Sequence, residues 1–451
     1  MSRPLTIAEI SEAVRSGKMT ARKITETTLD ILKQQDSSIH SVTKLLAKEA
    51  LAQADAIDAL RSAGKPLPPL AGVPFGVKDL FDVAGHVTTA GSIVLNDTLP
   101  AKQDAPVVKR LKDGGAILVA TLNMDEFAYG FATENSHYGT TFNPRDTSRM
   151  AGGSSGGSAA TVAAGFLPLA LGSDTNGSIR VPASLCGVWG LKPTFGRLPR
   201  EGAYPFSASL DVVGPFAANL SDLATAFHVM DGTPAAPEPK ISDLRIARLG
   251  GWFATNLTSS CQKALDRACD ALDVKQTVEL PEVAIARACS FLITAAEGGN
   301  LHLPRLRRVA AQYDPATRDR LLAGALLPAD TYLQAQRFRR WFRDQVHALF
   351  REKADVLIAP SVMCEAPRRD DPTVMVDGKS VSARAYLGLY TQPLSLPGLP
   401  VLAAPLINPD GLPLGLQLVA APGKEASLFA VARELEKSGV CGYSKPELAC
   451  L

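Results

Sequence analysis

The stretch Phe166-Leu167-Pro168-Leu169-Ala170-Leu171-Gly172-Ser173-Asp174-Thr175-Asn176-Gly177-Ser178-Ile179-Arg180 runs from an apolar segment into a glycine-bearing turn that ends on a serine. Phe166 to Leu171 reads as a buried strand, and Ser158 to Ala164 before it as a helix closed by Gly165. Outward from this unit the same texture recurs. Val73, Phe75 and Val77 alternate as a strand, and Ala116 to Ala120 reads as a short buried one. Later strand candidates are Leu244 to Ala247, Val356 to Ala359, Pro400 to Ala404 and Leu416 to Val419, with helical patterns between them. Strands alternating with helices predict an α/β fold with a covered sheet.

The N-terminal segment, residues 1–62, reads as a helical layer. Thr6 and Glu9 form a capping box with Gly17 as the stop, and a second helix begins after Thr20 with Ile24, Thr28, Ile31 and Leu32 on one face. A third, alanine-rich helix is expected from about Lys44 to Leu60, before Gly64-Lys65-Pro66-Leu67-Pro68-Pro69 breaks it. Residues from about 263 to 350 read as a mostly helical insertion carrying much of the positive charge. Pro234 to Pro239 suits a surface linker, and no internal repeat is visible.

Composition limits the function classes. The chain has 451 residues, 46% hydrophobic and 20% charged, which is globular and long enough for a large core. A net charge of +2 argues against a basic nucleic-acid binder but not against a small acidic ligand held by local cations. Seven cysteines, an odd number without a CxxC pair, suggest buried thiols in a reducing compartment. Met1 to Val14 carries Glu9 and Glu12 and does not read as a signal peptide, and no run of about 18 apolar residues is present. The expectation is a soluble cytoplasmic protein.

Two glycine- and serine-rich loops carry the chemistry. Gly152-Gly153-Ser154-Ser155-Gly156-Gly157-Ser158 precedes a helix but lacks the Gly-Lys-Ser/Thr ending of a phosphate loop. In the second loop, Asn176 and Gly177 both accept positive φ, so the chain can turn sharply and present Ser178 as a nucleophile. The backbone N–H groups of Thr175, Asn176, Gly177 and Ser178 would converge as an oxyanion hole. None of the six histidines sits in a triad context. Lysine is the alternative base. Lys78 closes an apolar strand in Gly76-Val77-Lys78-Asp79, where burial would lower its pKa. A simple pair with Asp79 is an equal reading of the residues alone.

The two serine loops, with Gly72-Val73-Pro74-Phe75-Gly76-Val77-Lys78-Asp79 upstream, resemble the amidase signature family in order and spacing, over nearly the whole chain. The resemblance implies one domain over residues 1–451 with a central mixed β-sheet covered by helices on both faces. It implies a Ser–cis-Ser–Lys triad without metal or cofactor: Ser178 as nucleophile, Ser154 as the bridging serine after a cis Gly153–Ser154 peptide, Lys78 as neutral base. Ser155 would act as a donor near Lys78. Asp174 and Arg180 read either as a structural pair or as substrate contacts.

Within the family, Asn123-Met124-Asp125-Glu126-Phe127-Ala128-Tyr129-Gly130 and Thr133-Glu134-Asn135-Ser136-His137-Tyr138-Gly139 are similar to two groups, the glutaminase subunits of tRNA-linked amidotransferases and the 1-carboxybiuret hydrolase catalytic subunits. Asn176, Ser184-Leu185-Cys186-Gly187, Thr294 to His302 and Gln334 to Arg340 resemble the second. That resemblance implies removal of ammonia from a small acidic ureide, 1-carboxybiuret, in s-triazine breakdown. It also implies a small helical partner subunit (AtzG-like) in a heterotetramer, with no role for membrane or nucleic acid. The alternatives are an allophanate hydrolase-type amidase and a glutaminase subunit. Asp125, Ser155, Arg339, Lys424 and His302 are the substrate-binding candidates. Arg339 aligns with the arginine that holds glutamine's carboxylate in the amidotransferase group, and Lys424 falls where that group has an acid for glutamine's ammonium. The competing reading makes Arg337, Arg339, Arg340 and Arg343 a solvated helix face.

Overall fold

The computed structural model describes residues 5–409 and 411–443; Cys450 lies outside the described residues. Its strands in chain order are Val42–Leu45 (β1), Pro74–Lys78 (β2), Ile117–Leu122 (β3), Glu134–Asn135 (β4), Gly139–Thr140 (β5), Leu169–Asp174 (β6), Trp189–Lys192 (β7), Val212–Ala217 (β8), Ile246–Leu249 (β9), Gln276–Val278 (β10), Val356–Pro360 (β11), Thr373–Val376 (β12), Lys379–Ser382 (β13), Val401–Leu406 (β14) and Leu414–Ala420 (β15). Eleven of them form one sheet in the order β1-β3-β2-β6-β8-β7-β14-β15-β11-β9-β10; β4–β5 and β12–β13 are separate hairpins. The sheet is mixed. β2 runs parallel to β3 and β6, whereas β8 runs antiparallel to both β6 and β7. Helices flank the sheet, so β2, β3 and β6 are buried at every residue. Strands covered on both faces read as continuous apolar runs, as the segment containing β3 does in the sequence.

The N-terminal elements follow their local signals. Thr6 and Glu9 cap the helix Ile7–Arg15 reciprocally, and Thr20 caps Ala21–Gln35. The third helix begins later than expected, at Ala47, because Val42–Leu45 is drawn off as the edge strand β1 against β3. The segment 263–350 is largely the helices Val283–Val309, Pro315–Ala325 and Ala329–Glu352, but it also sends β10 to the sheet edge beside β9.

β6 departs from its expected position in a way that matters for the site. It spans Leu169–Asp174 rather than Phe166 to Leu171, pairing with β8 from Leu169↔Ala217 to Asp174↔Val212. Phe166 and Leu167 instead close the helix Gly156–Ala163, their N–H groups donating to Thr161 O. Gly172, Ser173 and Asp174 are thereby strand residues. β8 itself was hidden by Gly214-Pro215, which reads as a strand breaker. Pro215 is tolerated because β7 pairs with β8 only at Phe216 and Ala217. Among the described residues no helix is long and apolar enough to cross a membrane.

Candidate active site

Three neighbouring segments of the sheet converge. Lys78 ends β2, the loop Gly152–Ser155 leads into the helix Gly156–Ala163, and β6 delivers Ser173 and the turn to Ser178. Lys78 is fully buried. Its Nζ donates to Ser154 Oγ at 2.7 Å and to Ser173 Oγ at 3.0 Å. Burial lowers its pKa to about 7, against the pull of Asp125, Asp174 and Asp211. The alternative pairing with Asp79 does not occur. Asp79 turns the other way and accepts from Thr43 Oγ1 at 3.2 Å, from Gly91 N–H at 3.1 Å and from Thr89. Nothing in the sequence marks Ser173 as a lysine partner, because the strand expected there ends at Leu171.

The Gly153–Ser154 peptide is cis, as the family resemblance implied. Glycine is required at 153 by close approach: a Cβ there would lie 2.1 Å from Asp125 Oδ2. Asp125 braces this loop from below. Its N–H donates to Ser154 O at 3.3 Å, and its Oδ2 accepts from Ala132 N–H at 3.1 Å and Thr133 N–H at 3.0 Å. Asp125 is thus a loop support and does not line the pocket beside Ser178. Ser155 likewise serves the framework. Its Oγ donates to Ser173 O at 3.1 Å and its N–H to Ser178 O at 3.3 Å, tying the two serine loops together.

Asp174 organises the second turn. Burial alone would raise its pKa, but the Arg180 guanidinium beside it holds it below the usual carboxylate range. The two form a fully buried bidentate pair, with both N–O distances 2.9 Å. Asp174 also accepts from Ile179 N–H at 3.1 Å and Gly177 N–H at 2.7 Å. That last bond corrects the oxyanion-hole expectation. The Gly177 N–H points inward to Asp174, while among the described residues no acceptor engages the N–H of Thr175, Asn176 or Ser178. Gly177 has φ +136°, and a Cβ there would meet Thr391 Oγ1 at 2.2 Å, so no other residue fits. Asn176 is fixed by Ser290 Oγ at 2.6 Å and Thr294 Oγ1 at 3.3 Å, and Thr175 Oγ1 donates to Asp211 at 2.6 Å. Burial raises Asp211 to about 6.

Ser178 lines a pocket with Tyr129, Phe131, Thr294, Arg320 and Gln392. The pocket adjoins a cavity of about 250 Å³ lined by Ser173, Thr175, Tyr204 and Asp211, the two sharing Ala128, Thr175 and Phe206. None of the three remaining candidates reaches either space. Arg339 donates from Nε to Leu396 O at 2.9 Å and from Nη2 to Ser209 O at 2.7 Å, and its helix face with Arg337, Arg340 and Arg343 lines a separate groove. Lys424 lies in another groove, with Asp243 and Asp355. His302 is packed 4.2 Å from the Phe127 ring with its Nδ1 3.1 Å from Tyr313 Oη, and burial lowers its pKa to about 4. Arg320, Gln392 and Tyr129 were not singled out. Arg320 sits in Arg318-Asp319-Arg320, which reads as a solvated helix surface, and nothing local marks it. Among the described residues no cluster of three His, Cys, Asp or Glu could hold a metal ion.

The structure brings Lys78 Nζ onto Ser154 Oγ, as the resemblance implied, and onto Ser173 Oγ, which it did not name, while Ser178 lines the adjoining pocket. The family model for amidases matches residues 23–429, and the chain belongs to the amidase signature family, a mixed α/β fold of amide-cleaving hydrolases. Over 449 residues it is 48% identical to the AtzE chain of the 1-carboxybiuret hydrolase of Pseudomonas sp. (strain ADP), covering 96% of this chain and 98% of the relative. It is 35% identical over 486 residues to the corresponding chain of the glutamyl-tRNA(Gln) amidotransferase of Chloroflexus aggregans, covering 99% and 98%. A solved structure described as a vestigial protein complex revealing the origins of an s-triazine catabolic enzyme superposes with TM-score 0.93 at 47% identity, over 98% of this chain and all of that one.

Proposed function

We propose that the protein hydrolyses 1-carboxybiuret to urea-1,3-dicarboxylate and ammonia through an acyl-enzyme on Ser178. The observation that carries the mechanism is Lys78 Nζ, buried and lowered to about 7, at 2.7 Å from Ser154 Oγ. A neutral amine can accept a proton that an ammonium cannot. Ser178 Oγ attacks the terminal carbonyl as its proton passes to Ser154 Oγ, whose own proton moves to Lys78. The N–H groups of Thr175, Asn176 and Ser178 are the candidates for holding the developing oxyanion. Lys78 returns the proton through Ser154 to the leaving nitrogen, which departs as ammonia. Water then repeats the sequence on the acyl-enzyme, its proton going to the same relay, and the carboxylate product frees Ser178.

Full-length identity of 48% to a 1-carboxybiuret hydrolase chain, against 35% to the amidotransferase chain, supports the substrate. Lys424 no longer argues against glutamine, because it lies away from the pocket. The description of the neighbouring structure as a protein complex supports a partner subunit, which we place as a small helical chain in a heterotetramer. Among the described residues six cysteines are unpaired, five of them buried, which suits action in the cytoplasm.

The test is ammonia release from 1-carboxybiuret, generated in place from cyanuric acid by a ring-opening hydrolase, beside glutamine, biuret and allophanate. Release from carboxybiuret above spontaneous decay, lost in Ser178→Ala, is expected. Release from glutamine alone, or normal turnover in Ser178→Ala, overturns the proposal.

A further inference from the structure

Around Ser178, two buried polar atoms have no hydrogen-bond partner, and a half-buried guanidinium has no carboxylate. Arg320 reaches the pocket from the helix Pro315–Ala325. Its Nη1 donates to Tyr129 O at 2.9 Å, and its guanidinium lies 3.7 Å over the Tyr129 ring. Neither contact supplies a counter-charge, and among the described residues Arg320 is in no ion pair. Arg180, by contrast, is neutralised by Asp174. Gln392 is 4% exposed, and its Oε1 has no partner. Tyr129 is equally enclosed, and its hydroxyl also has none. All three residues line the same pocket as Ser178.

Buried polar atoms are ordinarily paired, and a half-buried guanidinium without a carboxylate is notable because it cannot shed its charge. Burial works against the Arg320 charge and the like charge of Arg384 adds to that, while Tyr129 and the Asp125 carboxylate, neither of them ion-paired to it, support the charge in part. An anion seated on Arg320 relieves both. The Gln392 amide offers one acceptor and one donor group whichever way it is turned, which matches the alternating N–H and C=O of a ureide. Among the described residues no carboxylate lines this pocket itself; Asp211 and Glu201 line the adjoining cavity.

We propose that Arg320 receives the substrate's carboxylate and that Gln392 pairs with its amide chain, making this pocket selective for acidic amides over neutral or zwitterionic ones. The proposal rests on the amidase reading of Ser178 and names the groups that choose its substrate. A planar guanidinium takes a carboxylate bidentately, which fixes orientation as well as affinity. The amide carbonyl is then held at a set distance from the carboxylate, in front of Ser178.

The test separates binding from turnover by using the Ser178→Ala protein and the pair malonamate and malonamide, which differ chiefly in one charge. Titration calorimetry should show malonamate binding more tightly than malonamide. Adding Arg320→Gln should weaken malonamate roughly 10- to 100-fold and leave malonamide unchanged, with partial recovery in Arg320→Lys. In the protein with Ser178 intact, Arg320→Gln should raise KM for the acidic substrate by a similar factor with kcat within about threefold. Equal binding of the two ligands, or no loss of malonamate affinity in Arg320→Gln, overturns the proposal. A wild type that binds malonamate through Arg320 yet releases no ammonia from any acidic ureide would instead sink the substrate reading and leave the anion site standing.

Discussion

Lys78→Met removes the buried amine on which the account depends, and its effect on stability can be worked from the structure. Burial carries Lys78 from 10.5 to about 7. Between those values the unfolded chain holds a proton that the folded chain has lost. Stability therefore rises with pH across that window; the penalty from Lys78 is complete below pH 7 and fades towards 10.5. One pKa unit is worth about 1.4 kcal/mol. Integrating from pH 6 to pH 9, the wild type gains about 2.5 kcal/mol from this group alone, and Lys78→Met lacks that gain. Lys192, also lowered to about 7 by burial, titrates alike in both proteins and cancels from the difference. Urea unfolding of both proteins at the two pH values measures the effect. In parallel, kcat/KM of the wild type should rise through about pH 7 as the amine becomes neutral, and the Met variant should lose at least two orders of magnitude at every pH. Parallel stability profiles would refute the perturbed amine, and a Met variant with normal turnover would refute its role as base.

Other perturbations follow from the same contacts. Asp174→Asn leaves Arg180 buried without its counter-charge, and should cost about 3–5 kcal/mol in denaturant unfolding. Gly177→Ala places a Cβ 2.2 Å from Thr391 Oγ1 at φ +136°, and should cost at least about 2 kcal/mol, with activity lost even where the protein still folds. Arg339→Ala removes two bonds to backbone carbonyls, so its thermal midpoint should fall while KM for the ureide stays within about twofold. A large rise in KM in that variant would restore Arg339 to the site.

What could be read in the sequence was what short range determines. The capping box at Thr6 and Glu9, the apolar runs of β2 and β3, and the glycines that let Ser154 and Ser178 into their turns are local, and each is present, whereas the run read for β6 is displaced by three residues. The lysine could be suspected because a charged residue closed an apolar strand, but its partner could not. Choosing Ser154 and Ser173 over Asp79 needs the β2–β6 pairing, which brings together residues 95 apart. β8 was lost because Pro215 is tolerated only where β7 has stopped pairing, a tertiary fact. The substrate candidates suffered most. Arg339 and Lys424 were placed by position along the chain, and the helices Val283–Val309 to Ala329–Glu352 turn Arg320, not Arg339, towards Ser178. The oxyanion expectation erred by one residue because a carboxylate two positions before Asn176 claims the Gly177 N–H.

The central claim is that Ser178 becomes acylated with Lys78 as its base. The most direct measurement is acid-quenched mass spectrometry of the protein mixed for milliseconds to seconds with 1-carboxybiuret. An acyl adduct is expected on the peptide carrying Ser178, absent from Ser178→Ala and formed far more slowly in Lys78→Met. Ammonia release without any adduct on that peptide, or an adduct on another residue, would contradict it.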